Sequence, residues 1–252
     1  MKKYNEGTYM ENFDSKLMGR IHSFETMGAL DGPGIRVVIF MQGCMLKCKY
    51  CQNRDTWDIN RGQIYTVKEI VEKVSKYENY INESNGGITV SGGEPLLQAG
   101  FLINLFKELK KKNIHTAIDT SGMVEINSEI RELIELTDLF LLDIKSINDN
   151  VCKYLTGKSN IRNLEFAKYL SDNNKEMWIR QVLVPTITNK KEDLIKLKEF
   201  INSLKSVKKI EILPYHSLGK FKWDNLGKEY EFENIKVPTE KEIREAKEIL
   251  KI

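Results

Sequence analysis

The sequence Gly43-Cys44-Met45-Leu46-Lys47-Cys48-Lys49-Tyr50-Cys51 holds three of the chain's four cysteines within eight residues. It follows the apolar run of residues 35–41, so a buried strand would deliver all three thiols onto one loop. Thiolates are soft donors, and cysteine sulfur is the usual ligand of iron–sulfur clusters. A closed structural zinc site needs a fourth nearby ligand, which this loop lacks. The spacing therefore favours a cluster held by Cys44, Cys48 and Cys51, with one iron open to a small molecule.

The same thiols allow two other interpretations. A zinc site could be completed by a distant histidine or by Cys152, or two thiols could form a disulfide and leave the third free. The chain has few cysteines, and they are clustered rather than spread. This distribution fits a reducing compartment and argues against a disulfide scaffold.

Length and composition limit the classes of function. A chain of 252 residues with 41% hydrophobic residues can bury one large core, as α/β barrels of this size do. Basic and acidic residues number 39 and 36, and this near balance disfavours strong binding to nucleic acid. The longest apolar runs are far too short to span a membrane, and no apolar run follows Met1-Lys2-Lys3. We expect a cytoplasmic protein with neither nucleic acid nor membrane as a partner.

Strand and helix patterns alternate along the chain. Six strands are predicted, over residues 35–41, 87–90, 115–119, 138–145, 177–184 and 209–213. Helices are predicted over residues 67–82, 98–112, 126–136, 163–173, 191–205 and 239–250. This alternation implies a parallel sheet with right-handed crossovers, either an open doubly wound sheet or a partial barrel. One domain over residues 19–252 is expected, preceded by a flexible extension over residues 1–18.

Ligands of parallel α/β folds gather at the carboxyl ends of the strands. The second and third predicted strands end in Ser91-Gly92-Gly93-Glu94-Pro95 and Asp119-Thr120-Ser121-Gly122. Glycine backbone would let a ligand approach closely, although paired glycines also mark ordinary turns. Asp119 is equally compatible with capping the next helix.

The later strands also end in polar residues. Two-residue periodicity places Asp143 and Lys145 on one face of the fourth strand and Ile144 on the other. The charged pair fits either a structural salt bridge or a ligand site. Arg180 in the fifth strand could pair with a carboxylate or hold a substrate backbone, and His216 after the sixth could be structural or ligand-binding.

The cysteine loop, with Tyr50 before its last cysteine, resembles the signature of the radical S-adenosylmethionine (SAM) superfamily. Longer strings resemble the activating enzymes of glycyl radical enzymes, in particular those that act on pyruvate formate-lyase. They are GRIHSFE over 19–25, DGPGIR over 31–36, CQNRDTWD over 51–58, LEFAKYL over 164–170 and ILPYH over 212–216. The resemblance favours a partial (β/α)6 barrel, less closed than the eight-unit form.

The resemblance also implies a reaction. A reduced [4Fe–4S] cluster would cleave SAM to methionine and a 5′-deoxyadenosyl radical, which would take a glycine Cα hydrogen from pyruvate formate-lyase under anaerobic conditions. Flavodoxin or ferredoxin would supply the electron, and the enzyme would act as a monomer. Two alternatives stay open, namely activation of another glycyl radical enzyme and a structural metal-binding module.

Roles for individual residues follow from the same resemblance. Cys44, Cys48 and Cys51 would be the catalytic cluster ligands, while Asp31 and Arg180 would grip the partner's glycine loop. Asp119 and Thr120 would help to hold a monovalent cation. Gln52 stands where the best-known member has histidine, and Cys152 is predicted to be an incidental free thiol in a polar loop away from the cluster. SAM-binding residues would be Tyr50, Cys51, Gln52, Gly92, Gly93, Glu94, Asp119, Asp143, Ile144, Lys145 and His216.

Overall fold

The computed structural model describes residues 14–252 and contains one eight-stranded sheet with helices packed against it. The strands are β1 (Met18–Gly28), β2 (Arg36–Met41), β3 (Gln63–Thr66), β4 (Gly87–Gly92), β5 (His115–Thr120), β6 (Leu139–Asp143), β7 (Glu176–Leu183) and β8 (Val207–Pro214). The helices are α1 (Val67–Ser75), α2 (Glu78–Glu83), α3 (Ala99–Lys111), α4 (Ser128–Leu136), α5 (Asp149–Thr156), α6 (Ile161–Asp172), α7 (Lys191–Asn202), α8 (Lys220–Asn225) and α9 (Glu240–Leu250).

The sheet order is β3-β1-β2-β4-β5-β6-β7-β8, and the two ends of this order do not pair. Strands β2 and β4 to β8 are mutually parallel, which confirms the six predicted strands and the open, barrel-like α/β architecture. Two further strands were not predicted. Strand β1 runs antiparallel to both β2 and β3, so the sheet is mixed at this edge.

The helices differ from the sequence prediction at three places. The helix predicted over residues 67–82 is two helices, because Tyr77 leaves helical geometry with φ −110° and ψ 7°. Helices α5 and α8 were not predicted. A capping box joins Thr66 and Glu69 at the start of α1, and another joins Thr239 and Glu242 at the start of α9. Among residues 14–252, no helix combines the length and the apolar character needed to cross a membrane.

The extension predicted over residues 1–18 lies largely outside the described residues. Its last part is tied to the domain. Met18 begins β1, the Val67 amide donates to the Leu17 carbonyl at 3.0 Å, and Asn104 Nδ2 donates to the Lys16 carbonyl at 3.1 Å. The ordered sheet therefore begins one residue before the predicted domain boundary.

A buried arginine fixes the DGPG turn that precedes β2. The side chain of Arg36 is fully buried and donates from Nε to Thr89 Oγ1 at 2.5 Å and from Nη1 to the Pro33 carbonyl at 3.0 Å. Thr89 Oγ1 in turn donates to the Asp31 carbonyl at 2.5 Å. Gly34 has φ +68°, and an added Cβ would lie 2.5 Å from the Ser84 carbonyl oxygen, so only glycine fits there. These hydrogen bonds, which run from Arg36 through Thr89, fix the backbone position of Asp31.

Candidate active site

A cavity of about 850 Å³ lies inside the curve of the sheet and reaches the carboxyl ends of the parallel strands. Ile144 is the exception among the predicted site residues. It is fully buried in the main apolar core because strand alternation turns it away from the cavity. The structure brings the other predicted site residues together in the cavity wall: Asp31, Cys44, Cys48, Tyr50, Cys51, Gln52, Gly92, Gly93, Glu94, Asp119, Asp143, Lys145, Arg180 and His216.

The cysteine loop is held from outside by helix α5. The backbone amides of Lys47 and Lys49 donate to the Thr156 and Leu155 carbonyls, each at 2.9 Å. These are carbonyls of the last helical turn, which have no partner within the helix. The loop therefore takes its position from the end of a helix that the sequence did not predict.

Cys152 lies in α5, and its predicted location in a polar loop away from the cluster motif was wrong. Its side chain is fully buried and belongs to a small apolar cluster with Leu46, Cys48 and Met123. The helix was missed because it has only eight residues and packs its apolar side chains against the cysteine loop and the aromatic cluster around Tyr215 rather than the main core. All four cysteines are free thiols.

Two tryptophans bind the last cysteine of the loop. Trp57 Nε1 lies 3.3 Å from Cys51 Sγ and donates to it, and Trp223 Nε1 donates to the Cys51 carbonyl at 2.9 Å. Their rings meet edge to face with centroids 5.4 Å apart. Sequence reasoning did not assign either residue a role, although Trp57 stands only six positions after Cys51.

Gln52 joins the cysteine loop to the loop after β8. Its Nε2 donates to the His216 carbonyl at 2.8 Å, and its Oε1 accepts from the Gly219 amide at 2.6 Å. The Gln52 side chain thus links the loop after β2 to the loop after β8, and these are the first and last of the parallel strands. The His216 side chain is exposed at the rim of the cavity, as expected for a residue at the end of a strand.

The Gly92-Gly93 pair lies against the cysteine loop. Gly93 N donates to the Met41 carbonyl at 3.0 Å, and Glu94 N donates to the Gly43 carbonyl at 2.8 Å. A Cβ on Gly93 would stand 2.1 Å from the Gly43 oxygen, and Gly92 has φ +108°. The absence of side chains at these glycines therefore lets the backbone of the cysteine loop pack closely against them. Both glycines also line the cavity, as a pair that contacts a ligand would.

Glu94 is the acceptor of a buried hydrogen-bond network. Its carboxylate accepts from Thr120 Oγ1 at 2.5 Å, Leu96 N at 3.2 Å, Ser121 N at 3.0 Å and Ser121 Oγ at 2.6 Å. Burial raises the pKa of Glu94, while these hydrogen bonds act in the opposite direction. Thr120 thus directs its hydroxyl proton to Glu94, and the monovalent cation expected beside Asp119 stays a prediction.

Replacing Glu94 by glutamine is expected to lower the free energy of unfolding by about 2 kcal/mol. Four donors converge on the carboxylate, whereas an amide offers one acceptor oxygen and places its NH2 group against donors. Urea unfolding monitored by circular dichroism measures the loss. The exposed change Glu240→Gln serves as the control, and equal stability of the two variants would contradict a role for this network.

An ionic cluster lies beside the Glu94 network in the wall of the cavity. Arg180 Nη1 lies 3.2 Å from Asp119 Oδ1, and Arg180 Nε lies 3.7 Å from Asp143 Oδ1. Lys145 Nζ donates to Asp143 Oδ2 at 2.5 Å, and Ser91 Oγ donates to Asp119 Oδ2 at 2.6 Å. This confirms the predicted shared face of Asp143 and Lys145.

Burial and the charges of the ionic cluster shift the pKa values of its two aspartates. Burial raises the pKa of Asp119, against the lowering effect of Arg180. Burial also acts to raise the pKa of Asp143, but Lys145 and Arg180 outweigh it and hold that pKa below its ordinary value. Arg180 Nε, Arg180 Nη1 and Asp143 Oδ1 are buried without a hydrogen-bond partner among residues 14–252. Each of them lies within an ion pair of the cluster instead, with almost no surface of its own open to the cavity.

The three thiols suit a cationic group. Burial raises the pKa of Cys44 to about 12 and also raises the pKa of Cys48 and Cys51, so their thiolates need positive charge nearby. Lys145 supplies part of it, and bound iron would supply the rest. Within the described part of the chain, no three His, Cys, Asp or Glu side chains converge as ligands of a single ion. The three cysteines lie on one loop, line one cavity and are soft donors, and these properties fit an iron–sulfur cluster.

Comparison with curated proteins gives close relatives over most of the chain. The pyruvate formate-lyase-activating enzyme of Staphylococcus epidermidis is 53% identical over 236 residues, covering 91% of this chain and 94% of the relative. The pyruvate formate-lyase 1-activating enzyme of Escherichia coli K12 is 47% identical over 235 residues, covering 93% and 96%.

Solved structures share the fold. A domain of a pyruvate-formate lyase-activating enzyme from Bacteroides vulgatus aligns with a TM-score of 0.56 and 25% identity, covering 66% of this chain and 93% of that one. Streptococcus suis SuiB bound to S-adenosylmethionine aligns with a TM-score of 0.60 and 19% identity, covering 83% and 45%, and supports the fold alone. The family described as the Radical SAM superfamily matches residues 38–198. The chain therefore belongs to the radical SAM superfamily and, within it, to the family of the pyruvate formate-lyase-activating enzymes.

Proposed function

We propose that this chain activates pyruvate formate-lyase by cleaving SAM reductively and taking a Cα hydrogen from a glycine of that enzyme. The observation that carries the proposal is one cavity whose wall joins three cluster-forming thiols to the ionic cluster of Asp119, Asp143, Lys145 and Arg180. The 53% and 47% identities to enzymes named for this activity support it. The reaction class is a [formate-C-acetyltransferase]-activating radical SAM oxidoreductase.

Cys44, Cys48 and Cys51 would hold the [4Fe–4S] cluster that members of this superfamily use together with SAM. When bound and reduced by one electron, this pair supplies a 5′-deoxyadenosyl radical, which is the reagent for hydrogen abstraction. The chain's own residues bind and orient the cluster and SAM. Trp57 donates its indole N–H to Cys51 Sγ, and stabilises that sulfur as a thiolate.

The ionic cluster suits the amino-acid end of SAM. Asp143 would accept from the ammonium group, while Arg180, which is paired with both Asp119 and Asp143, helps to keep Asp143 charged. Lys145 adds a second cation on the same wall. The sites assigned to SAM at Tyr50, Gln52, Glu94 and His216 are part of this proposal.

The partner's glycine would enter beside the DGPG turn. Asp31 lines the cavity, and its exposed neighbours Met27 and Leu30 line it as well, with 51% and 85% of their surface accessible. Asp31 offers an acceptor and Arg180 a donor to the backbone of an extended segment, while the two apolar side chains can cover its side chains. Transfer of a hydrogen atom between carbons needs no general base. The enzyme would act as a cytoplasmic monomer that takes electrons from flavodoxin or ferredoxin.

An anaerobic assay tests the proposal. The reconstituted protein, SAM and dithionite are incubated with pyruvate formate-lyase, and electron paramagnetic resonance detects a glycyl radical. We expect the radical with the natural partner and none with a partner whose radical glycine is replaced by alanine. Formation of 5′-deoxyadenosine without a glycyl radical would favour another glycyl radical enzyme as partner. Zinc without iron would favour a structural metal-binding module.

A further inference from the structure

Trp57 connects a cluster ligand with the outer surface of the cysteine loop. Its indole N–H donates to Cys51 Sγ at 3.3 Å, and two cations lie over its ring. Lys47 Nζ is 4.6 Å and Arg54 Cζ is 3.9 Å from the ring centroid. Lys47 is exposed. A short chain of contacts thus runs from the sulfur of Cys51 through an aromatic ring to a basic surface.

The cations of this surface are not neutralised by the protein. Lys47, Arg54 and the exposed Lys158 form no ion pair with another residue in 14–252. Lys158 follows the two residues that contact Lys47, since the Lys47 amide donates to the Thr156 carbonyl and an added Cβ on Gly157 would lie 4.0 Å from Lys47 Cβ. We call the surface formed by Lys47, Arg54, Trp57 and Lys158 the Trp57 face.

Two of the acids near this surface are already paired, whereas the exposed Asp58 next to Trp57 forms no ion pair among residues 14–252. Asp55 Oδ1 lies 3.3 Å from Lys222 Nζ, and Asp55 Oδ2 lies 2.9 Å from His22 Nε2. Glu231 pairs with Lys49. The Trp57 face therefore presents unpaired positive charge next to a cluster ligand.

The cavity is not a suitable route for an external electron carrier. Its wall is the ligand-binding surface described above, and the proposed reaction fills it with SAM and the partner's glycine segment. A carrier protein would have to approach the cysteine loop beside Trp57 and Trp223, which both contact Cys51, and Trp57 reaches from the cavity wall to the exposed Lys47.

We propose that the Trp57 face docks an acidic one-electron carrier protein that reduces the cluster. The proposal rests on the proposed function, because only a redox cluster requires such a partner. In the transfer the carrier loses one electron and the cluster gains one, with no bond or proton moved. Complementary charge accelerates association and sets orientation, so positive charge beside the entry point selects an acidic partner.

A charge-reversal pair tests this inference with flavodoxin as the probe. The variant Lys47→Glu/Lys158→Glu is compared with Lys196→Glu/Lys205→Glu, which reverses two exposed lysines without ion pairs among residues 14–252. Lys205 lies two residues before β8, at the opposite end of the strands from the cysteine loop. Binding to the reconstituted, cluster-containing protein is measured by anaerobic titration calorimetry at low and high salt.

We expect the first variant to bind flavodoxin about tenfold more weakly at low salt. The control should bind like the parent, and high salt should remove the difference. Reduced flavodoxin should drive 5′-deoxyadenosine formation more slowly in the first variant, while dithionite drives it at the parental rate. Equal binding by all three proteins, or equal weakening in both variants, would overturn the docking site. Failure of the proposed function would instead appear as no glycyl radical in the dithionite assay of the parent.

Discussion

Replacing Cys48 by alanine is expected to remove the iron–sulfur cluster and to reduce SAM cleavage to background. Cys48 is one of only three thiols that line the cavity, and loss of one leaves two protein ligands for a group that needs three. Iron and sulfide analysis after anaerobic reconstitution measures the cluster, and chromatography of 5′-deoxyadenosine measures the reaction. Circular dichroism establishes that the variant is folded.

Cys152→Ala is the matched control, since Cys152 is also buried and packs in the same apolar cluster. It should keep the iron and the reaction, and lose about 1 kcal/mol of stability because a small cavity replaces its sulfur. Normal iron content in Cys48→Ala, or loss of iron in Cys152→Ala, would refute the ligand assignment.

Replacing Arg180 by glutamine is expected to lower the free energy of unfolding by about 3–5 kcal/mol, because it leaves Asp119 and Asp143 buried without the cation between them. It should also abolish binding of the partner's glycine peptide under the proposed function. Chemical denaturation measures the first effect, and titration of the peptide into the SAM-loaded enzyme measures the second. Arg180→Lys should recover part of the stability, because it restores the charge without the planar fork.

The loss of unfolding free energy in Arg180→Gln should depend on pH. Arg180 helps to hold the pKa of Asp143 down, so the stability from that carboxylate is present above its unfolded pKa and is lost as pH falls through its lower folded pKa. Without Arg180 the pKa values of both carboxylates rise, and protonation relieves their repulsion. The gap between variant and parent should therefore narrow as pH falls from 7 to 5. Exposed Arg162→Gln is the control. A pH-independent gap would contradict this account.

The six parallel strands were predictable because each is a short apolar run ended by turn residues or a polar cluster. Strand β3 was not, since Gln63–Thr66 has only four residues and its partner β1 lies over 30 positions earlier. Pairing between distant segments leaves no local signal in a single sequence. Helix α5 was missed for a related reason, because its apolar residues face the cysteine loop rather than a regular helix–sheet interface.

For the site, the sequence indicated which residues gather in the cavity but not how they divide their tasks. Residues at strand ends converge by topology, which explains why Asp143, Lys145 and Arg180 could be placed together. Contacts made by Gln52 and Trp223 depend on a loop that returns over 160 positions later, and no spacing rule reveals them. The sequence suggested that Gly92 and Gly93 contact a ligand. The structure shows that they also pack against the backbone at the start of the cysteine loop, and no local sequence pattern predicts that contact.

The clasp made by Gln52 and Trp223 has a consequence for damage by air. Both side chains tie the cysteine loop to the segment after β8, which is otherwise held by the short helix α8, the small aromatic cluster around Tyr215 and Tyr230, and the ion pairs Lys222–Asp55 and Lys49–Glu231. If this segment detaches while the sheet remains folded, oxygen gains access to sulfur from outside. The lifetime of the protein in aerated buffer would then follow amide exchange at Gly219 rather than the melting temperature.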